Sequence, residues 1–280
     1  QFSYDENMLN IVSYYGRYTQ PWFLNKVPMS FSVGLWDEYR YEFLTSDIHN
    51  TNIFRNRRYG GNINLGFPII LERLNFMTSY KGENVAPLDD SLSKYTISSF
   101  SGKLSFQSIS NWNNPKKGAY WSVEVEKGGD LGIFDLNGID FTRYNLNYAI
   151  FFKISEKSVL GFHTSMGVFK PKDGNLNTFE AEGYELGGSN SLRGYKETSP
   201  LVGEQKVLYN LEYRYDFSKV LQGVLFYDIG NVFDNNFKLI DQDFPQSFGF
   251  GIRFFTPIGP IRTDFAFGKD FIFHFGLVLE

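Results

Sequence analysis

Three histidines, His49, His163 and His274, are the only imidazoles in the 280-residue chain, and it has no cysteine. The missing cysteines remove thiolate catalysis, disulfide scaffolds and Cys-ligated zinc. A hydrolase would have to pair a serine or threonine with one of those histidines at a single site. His274 lies on the polar parity of its segment, but hydroxyls stud every segment, so no catalytic residue is assigned and an enzyme is not expected. The acid pairs Asp89-Asp90 and Asp241/Asp243 have calcium-ligand chemistry. In polar connections they read more simply as solvated acids, and no metal or cofactor is expected. Arg55, Arg57 and Arg58 have the chemistry to meet lipopolysaccharide phosphates, yet a solvated loop-edge cluster is the plainer reading. Gly187-Gly188 opens no helix and is not a nucleotide-binding loop. Lys plus Arg number 27 against 31 Asp plus Glu, a net charge of −4 that gives nucleic acid no basic face. The long polar connection 170–204, far beyond the usual hairpin length, is the functional candidate.

The elements that must position it are strands. Over 204–217, Val207, Tyr209, Leu211, Tyr213, Tyr215 and Phe217 share one parity, while Glu204, Lys206, Asn210, Glu212, Arg214 and Asp216 share the other. Side chains of a strand alternate faces, so this is a ribbon with one apolar and one charged side. The final segment repeats the scheme, with Phe271, Phe273, Phe275, Leu277 and Leu279 opposite His274, Gly276 and Glu280. About thirteen such segments are expected, near 9–20, 28–43, 53–67, 73–83, 95–109, 118–127, 140–154, 159–169, 205–217, 220–232, 247–256, 261–268 and 271–280. Short turns alternate with longer polar loops, and no composition break suggests a second domain.

A mean hydropathy of −0.28 and the lack of a long apolar run resemble a soluble chain. A transmembrane β-barrel has the same signature, because its strands are apolar on one face only. Long strands, aromatic residues at strand ends, Trp22, Trp112 and Trp121 near expected turns, and the alternation of short and long connections favour the membrane version. Aromatic residues make up 19% of the chain, which suits a lipid-facing band.

Gly187-Gly188-Ser189-Asn190-Ser191-Leu192-Arg193-Gly194-Tyr195, then Phe226-Tyr227-Asp228-Ile229-Gly230-Asn231, then Pro257-Ile258-Gly259-Pro260-Ile261-Arg262-Thr263-Asp264 follow in order. Together they resemble the (V/L)RG(F/Y), FxDxGN and SPxGPxRxD motifs of the BamA/TamA superfamily of outer-membrane insertases and secretion transporters. Gly60 to Pro68 and the Asn114-Pro115-Lys116-Lys117-Gly118 turn are similar too. The resemblance implies an all-β fold, an antiparallel transmembrane β-barrel of 12–16 strands over 1–280, with loop 170–204 folded into the lumen. It implies that Arg193 meets wall acids, with Asp228, Asp264 and Glu212 as partners, and that Gly187, Gly188 and Gly194 let the loop lie close to the wall beside Leu192 and Tyr195. It further implies a C-terminal assembly signal in Phe273, Phe275, Gly276, Leu277 and Leu279, here without the family's final aromatic residue.

Family barrels have sixteen strands, so a chain opening with Gln1 on an inward-running segment is expected to lack about three of them, with closure on twelve as the alternative. The implied function is non-catalytic insertion or translocation of polypeptides in the outer membrane of a Gram-negative-type bacterium. A secretion pore or patatin-like autotransporter barrel is the alternative, and an outer-membrane hydrolase a distant third. The implied partners are outer-membrane lipid, unfolded outer-membrane or secreted polypeptide, accessory assembly proteins, and a second copy through an open sheet edge, but no nucleic acid.

Overall fold

The computed structural model describes residues 13–22, 28–47, 50–70, 73–88, 93–132, 135–172, 182–234, 244–257 and 259–277. The strands are β1 (Tyr14–Gln20), β2 (Ser30–Asp47), β3 (Asn50–Ile70), β4 (Leu74–Pro87), β5 (Tyr95–Gln107), β6 (Gly118–Gly128), β7 (Phe141–Lys153) and β8 (Ser158–Pro171). They continue with β9 (Tyr184–Leu186), β10 (Leu201–Gly203), β11 (Gln205–Asp216), β12 (Leu221–Phe233), β13 (Gln246–Thr256), β14 (Gly259–Phe267) and β15 (Phe271–Leu277). Thirteen of them form one antiparallel sheet in chain order, with β8 beside β11, while β9 and β10 pair with each other inside the long connection. The sheet starts at β1 and ends at β15, and among the described residues no ladder joins these two edges.

The period-two pattern decides which face goes where. On β13, Phe248, Phe250, Ile252 and Phe254 are all exposed, while Ser247 and Gly251, on the opposite parity, are buried. Neighbouring strands continue this apolar outer surface in rows. Phe250, Phe265 and Phe273 stack across β13, β14 and β15 at 5.1 Å centroid spacings. Phe248, Phe267 and Phe271 form a second row. Such cross-strand pairs contribute about 0.2–1 kcal/mol each and fix the register. The opposite face carries the charges and curls around them. Lys116 of the β5–β6 turn reaches Asp216 of β11, and Gln222 of β12 donates to Asn114 of that same turn at 3.1 Å. Contacts between strands so distant in the sheet order require strong curvature, which puts the polar face inside.

Two small apolar clusters lie on the concave side. Val85, Ile97, Phe141 and Phe169 form one at the loop end. Leu186, Leu192 and Leu208 form the other, with Tyr195, Leu201 and Val232 packed against it. The second joins Leu186, Leu192, Tyr195 and Leu201 of the long connection to Leu208 of β11 and Val232 of β12, so the connection docks on the wall.

Candidate functional site

Residues two apart on a strand share a face, so Asn210, Glu212 and Arg214 of β11, Phe226 and Asp228 of β12, Ser247 and Arg253 of β13, and Arg262 and Asp264 of β14 all point to the concave side. Ladder register brings them level: Asn210 lies opposite Asp228, Asp228 opposite Ser247, and Arg253 opposite Arg262. Arg193 comes down onto this array from the long connection. Its Nε donates to Asp228 Oδ2 at 2.8 Å and its Nη2 to Asp228 Oδ1 at 2.6 Å, a two-pronged contact that fixes the guanidinium plane. Nη1 donates to Glu212 Oε1 at 2.7 Å and lies 3.7 Å from Asp264 Oδ2. The Phe226 ring closes the remaining face, its centroid 3.5 Å from Cζ.

Asp228, with no exposed surface, is fully satisfied. It also accepts from Asn210 Nδ2 at 2.8 Å, Ser247 Oγ at 3.0 Å and the Arg193 backbone N–H at 3.2 Å. Asp264 accepts from Arg262 Nε at 2.6 Å and from Arg253, and Arg214 Nε donates to Glu212 at 2.8 Å. Burial works against the charge on Arg193, but the Asp228 hydrogen bonds and the fields of Glu212, Asp228 and Asp264 outweigh it and hold the guanidinium pKa above its ordinary value. Four arginines and three acids thus neutralise each other almost completely. That balance is what makes so many buried charges tolerable.

The loop backbone is tied down beside this array. His274 Nε2 of β15 lies 2.7 Å from the Arg193 carbonyl oxygen, and the Asp270 N–H donates to Gly194 O at 3.1 Å. Gly194 passes so close to the β14–β15 turn that a Cβ there would sit 2.6 Å from Gly268 Cα. Gly251 makes room in the same way, since a Cβ would fall 1.9 Å from Asp264 Oδ1. Gly187 N donates to Ser191 Oγ at 3.2 Å, Gly188 N to Tyr195 O at 2.8 Å, and Leu192 is fully buried. Of the residues singled out at the C-terminus, Phe273, Phe275 and Leu277 point outward and are exposed, Gly276 meets open space, and Leu279 lies outside the described residues. The acids Asp89, Asp90, Asp241 and Asp243 and the imidazole of His49 also lie outside them.

The sequence reading gave no role to Phe226, Asn210, Ser247, Arg253 or the His274 contact. A usable signal existed for Phe226, two residues before Asp228 and so on the same face, and for Asn210 and His274, already placed on the polar parity of their segments. The reading of Arg55, Arg57 and Arg58 as a solvated loop edge is corrected. All three lie within β3, where Arg57 Nη2 is 2.7 Å from Asp37 Oδ2 and Arg58 is buried. Arg58 donates to Glu83 at 2.9 Å and to Glu182, at the start of the described loop. Tyr95 Oη donates to Glu182 Oε1 at 2.9 Å, and Arg143 Nη2 donates to the Glu182 carbonyl at 2.7 Å. The loop therefore has a second anchor on β3, β5 and β7. Glu182→Ala should weaken it by about 1.5–3 kcal/mol, the range for hydrogen bonds to charged groups. The expected readout is faster trypsin cleavage after Lys172, with loss of heat-resistant mobility smaller than for Arg193 variants. Unchanged cleavage would show that Glu182 restrains nothing.

Comparison with known proteins agrees with this architecture. The chain is 29% identical over 109 residues to outer envelope protein 80 of Arabidopsis thaliana chloroplasts, covering 35% of this chain and 15% of that protein. It is 28% identical over 102 residues to outer envelope protein 39 from the same source, covering 33% and 27%. Among solved structures it superposes on BamA from Haemophilus ducreyi lacking POTRA domains 1–3, with a TM-score of 0.72 at 15% identity over 95% of this chain and 60% of that one. CdiB from Acinetobacter baumannii gives 0.62 at 14% identity over 94% and 49%. The chain thus spans under two thirds of the length of each of these proteins. With the family model of the Omp85 superfamily domain matching residues 10–278, nearly the whole sequence, the chain belongs to the Omp85 superfamily of outer-membrane β-barrels.

Proposed function

We propose that the chain is the barrel of an outer-membrane assembly factor that inserts or translocates polypeptides without making or breaking covalent bonds. The Arg193 loop acts as a brace inside the lumen. The observation that carries this reading is the tie between loop tip and final hairpin, through His274, Asp270 and the Gly194–Gly268 contact, next to the edge of β15 that no strand among the described residues covers. An edge strand is a template for another chain, and unpaired backbone groups in lipid cost several kcal/mol each. A brace behind β14 and β15 holds that template in one register. The setting is the outer membrane of a Gram-negative-type bacterium, and the partners are lipid, unfolded client polypeptide and soluble accessory proteins. Self-association through the same edge is the competing use of β15.

A passive secretion pore is the second reading. It is favoured by a recess of about 330 Å³ on the concave side, lined by Ser32, Asn64, Ser79, Ser101, Arg17 and Glu124, where small polar side chains leave space unfilled. The cysteine-free chain allows both readings to be tested by single-cysteine crosslinking. With the protein in liposomes, an unfolded barrel client should fold several-fold faster and crosslink to Leu277→Cys on β15. Crosslinking to Ser79→Cys or Ser101→Cys, with no acceleration of folding, would replace the insertase reading by the pore. Deleting 182–204 should raise single-channel conductance. Unchanged conductance would remove the loop from the lumen.

A further inference from the structure

We propose that the short-turn end of the barrel carries a cationic collar that binds the phosphates of anionic glycerophospholipids. Four successive hairpin turns open to this end: β3–β4, β5–β6, β7–β8 and β11–β12. Each carries one exposed cation that enters no ion pair among the described residues, namely Arg73, Lys117, Lys157 and Lys219. Among the described residues the acids at these turns are already engaged: Glu156 pairs with Lys153 at 2.6 Å, and Asp216 pairs with Lys116, while Glu72, beside Arg73, lies outside them.

The opposite end carries both signs: exposed Asp135, Glu185, Glu197 and Asp234 lie among exposed Lys94, Lys170, Lys172, Lys196 and Lys269, of which Lys172 and Lys196 reach acids.

What surrounds the four cations sets their depth. Ile70 precedes Arg73 at the end of β3, Phe152 and Ile154 precede Lys157, and Phe217 and Val220 flank Lys219. All five of these apolar side chains are exposed, with Phe217 at 62% and Ile154 at 60%. Trp112, in the same turn as Lys117, is exposed as well. Apolar side chains at the tip of a turn have no reason to face water. They place the turns at the boundary between acyl chains and headgroups, where an indole also sits favourably. A lysine or arginine beginning at that depth lays its stem along the apolar surface and lifts its charge to the phosphate level. There it is attracted to anionic lipid by about 1 kcal/mol per cation. One cation per hairpin makes a curved row facing one leaflet, a shape suited to a shell of lipids rather than to one compact ligand.

The test uses the full chain in liposomes, with tryptophan emission as readout and Trp112 as the reporter beside the collar. Brominated phosphatidylglycerol at 30% in phosphatidylcholine should quench several-fold more efficiently per lipid than brominated phosphatidylcholine at the same fraction. Raising the salt should reduce the preference, because the contacts are solvent-exposed. The variant R73Q/K117Q/K157Q/K219Q should lose the preference, while K170Q/K172Q/K196Q at the opposite end should keep it. If the fourfold variant does not fold, each single replacement should still lower the preference, by about two- to fivefold. Equal quenching by the two lipids, or a preference that survives the fourfold change, overturns the collar. So does collar-dependent binding of poly-glutamate without any lipid preference, which would make the partner an acidic polypeptide.

Discussion

Arg193→Ala should cost about 3–5 kcal/mol, the usual penalty for removing one partner from a buried ion pair. Truncation leaves Asp228, which has no exposed surface, short of its countercharge and leaves Glu212 with one guanidinium fewer, while Asp264 keeps Arg253 and Arg262. The Phe226 ring would lose the cation over its face. The loss should appear as a fall in heat-resistant gel mobility and a lower melting temperature in detergent. Arg193→Lys should recover only part of it, because one ammonium cannot fork onto Asp228 while also reaching Glu212. Arg193→Ala combined with Asp228→Asn should be less damaging than the sum of the two, since residues sharing one network are not additive. If Arg193→Ala behaves as wild type in mobility and melting, the brace does not exist.

Gly194→Val should displace the loop by sterics alone, with every charge retained. A Cβ at this position meets Gly268 Cα and N at 2.6 Å and Ser247 Cβ at 2.8 Å, and neither the backbone of a tight turn nor a buried serine has room to yield. Overpacking of this kind costs about 1–3 kcal/mol. Here the displacement also lengthens the Arg193 contacts and the bond from the Asp270 N–H to Gly194 O. The expected result is trypsin cleavage after Lys196 and a loss of heat resistance approaching that of Arg193→Ala. Gly276→Ala is the matched control, because a Cβ there meets nothing within 4 Å. A Gly194→Val protein with an intact, protease-resistant loop would mean that the close approach to the β14–β15 turn does not govern docking.

The two variants separate what the loop needs chemically from what it needs in space. That division follows the boundary of what was readable beforehand. Arg193 and Asp228 were legible through their motifs, and Glu212 and Asp264 through lumen parity, because a charge on the polar face of an alternating strand has to point inward. Phe226 was passed over because an aromatic residue on the inner parity looks like an exception to alternation rather than a platform for a cation. Arg58 was misread because three arginines within four residues suggest a solvated loop. Yet all three fall within the strand expected over 53–67, and its alternation turns Arg58 inward toward Glu83 and Glu182.

The thirteen wall strands and the alternation that sends Phe, Tyr and Leu outward were determined by the sequence itself, because strand periodicity is local and every side chain states its own face. The short strands β9 and β10 were invisible to that reading. Each has three residues, too few to alternate, and they exist because the loop folds back on itself. Which charges meet was decided only by tertiary structure. Arg58 and Glu182 are 124 positions apart, and Arg193 and His274 are 81 apart. Ladder register and sheet curvature, which no local pattern encodes, bring such pairs within hydrogen-bonding distance.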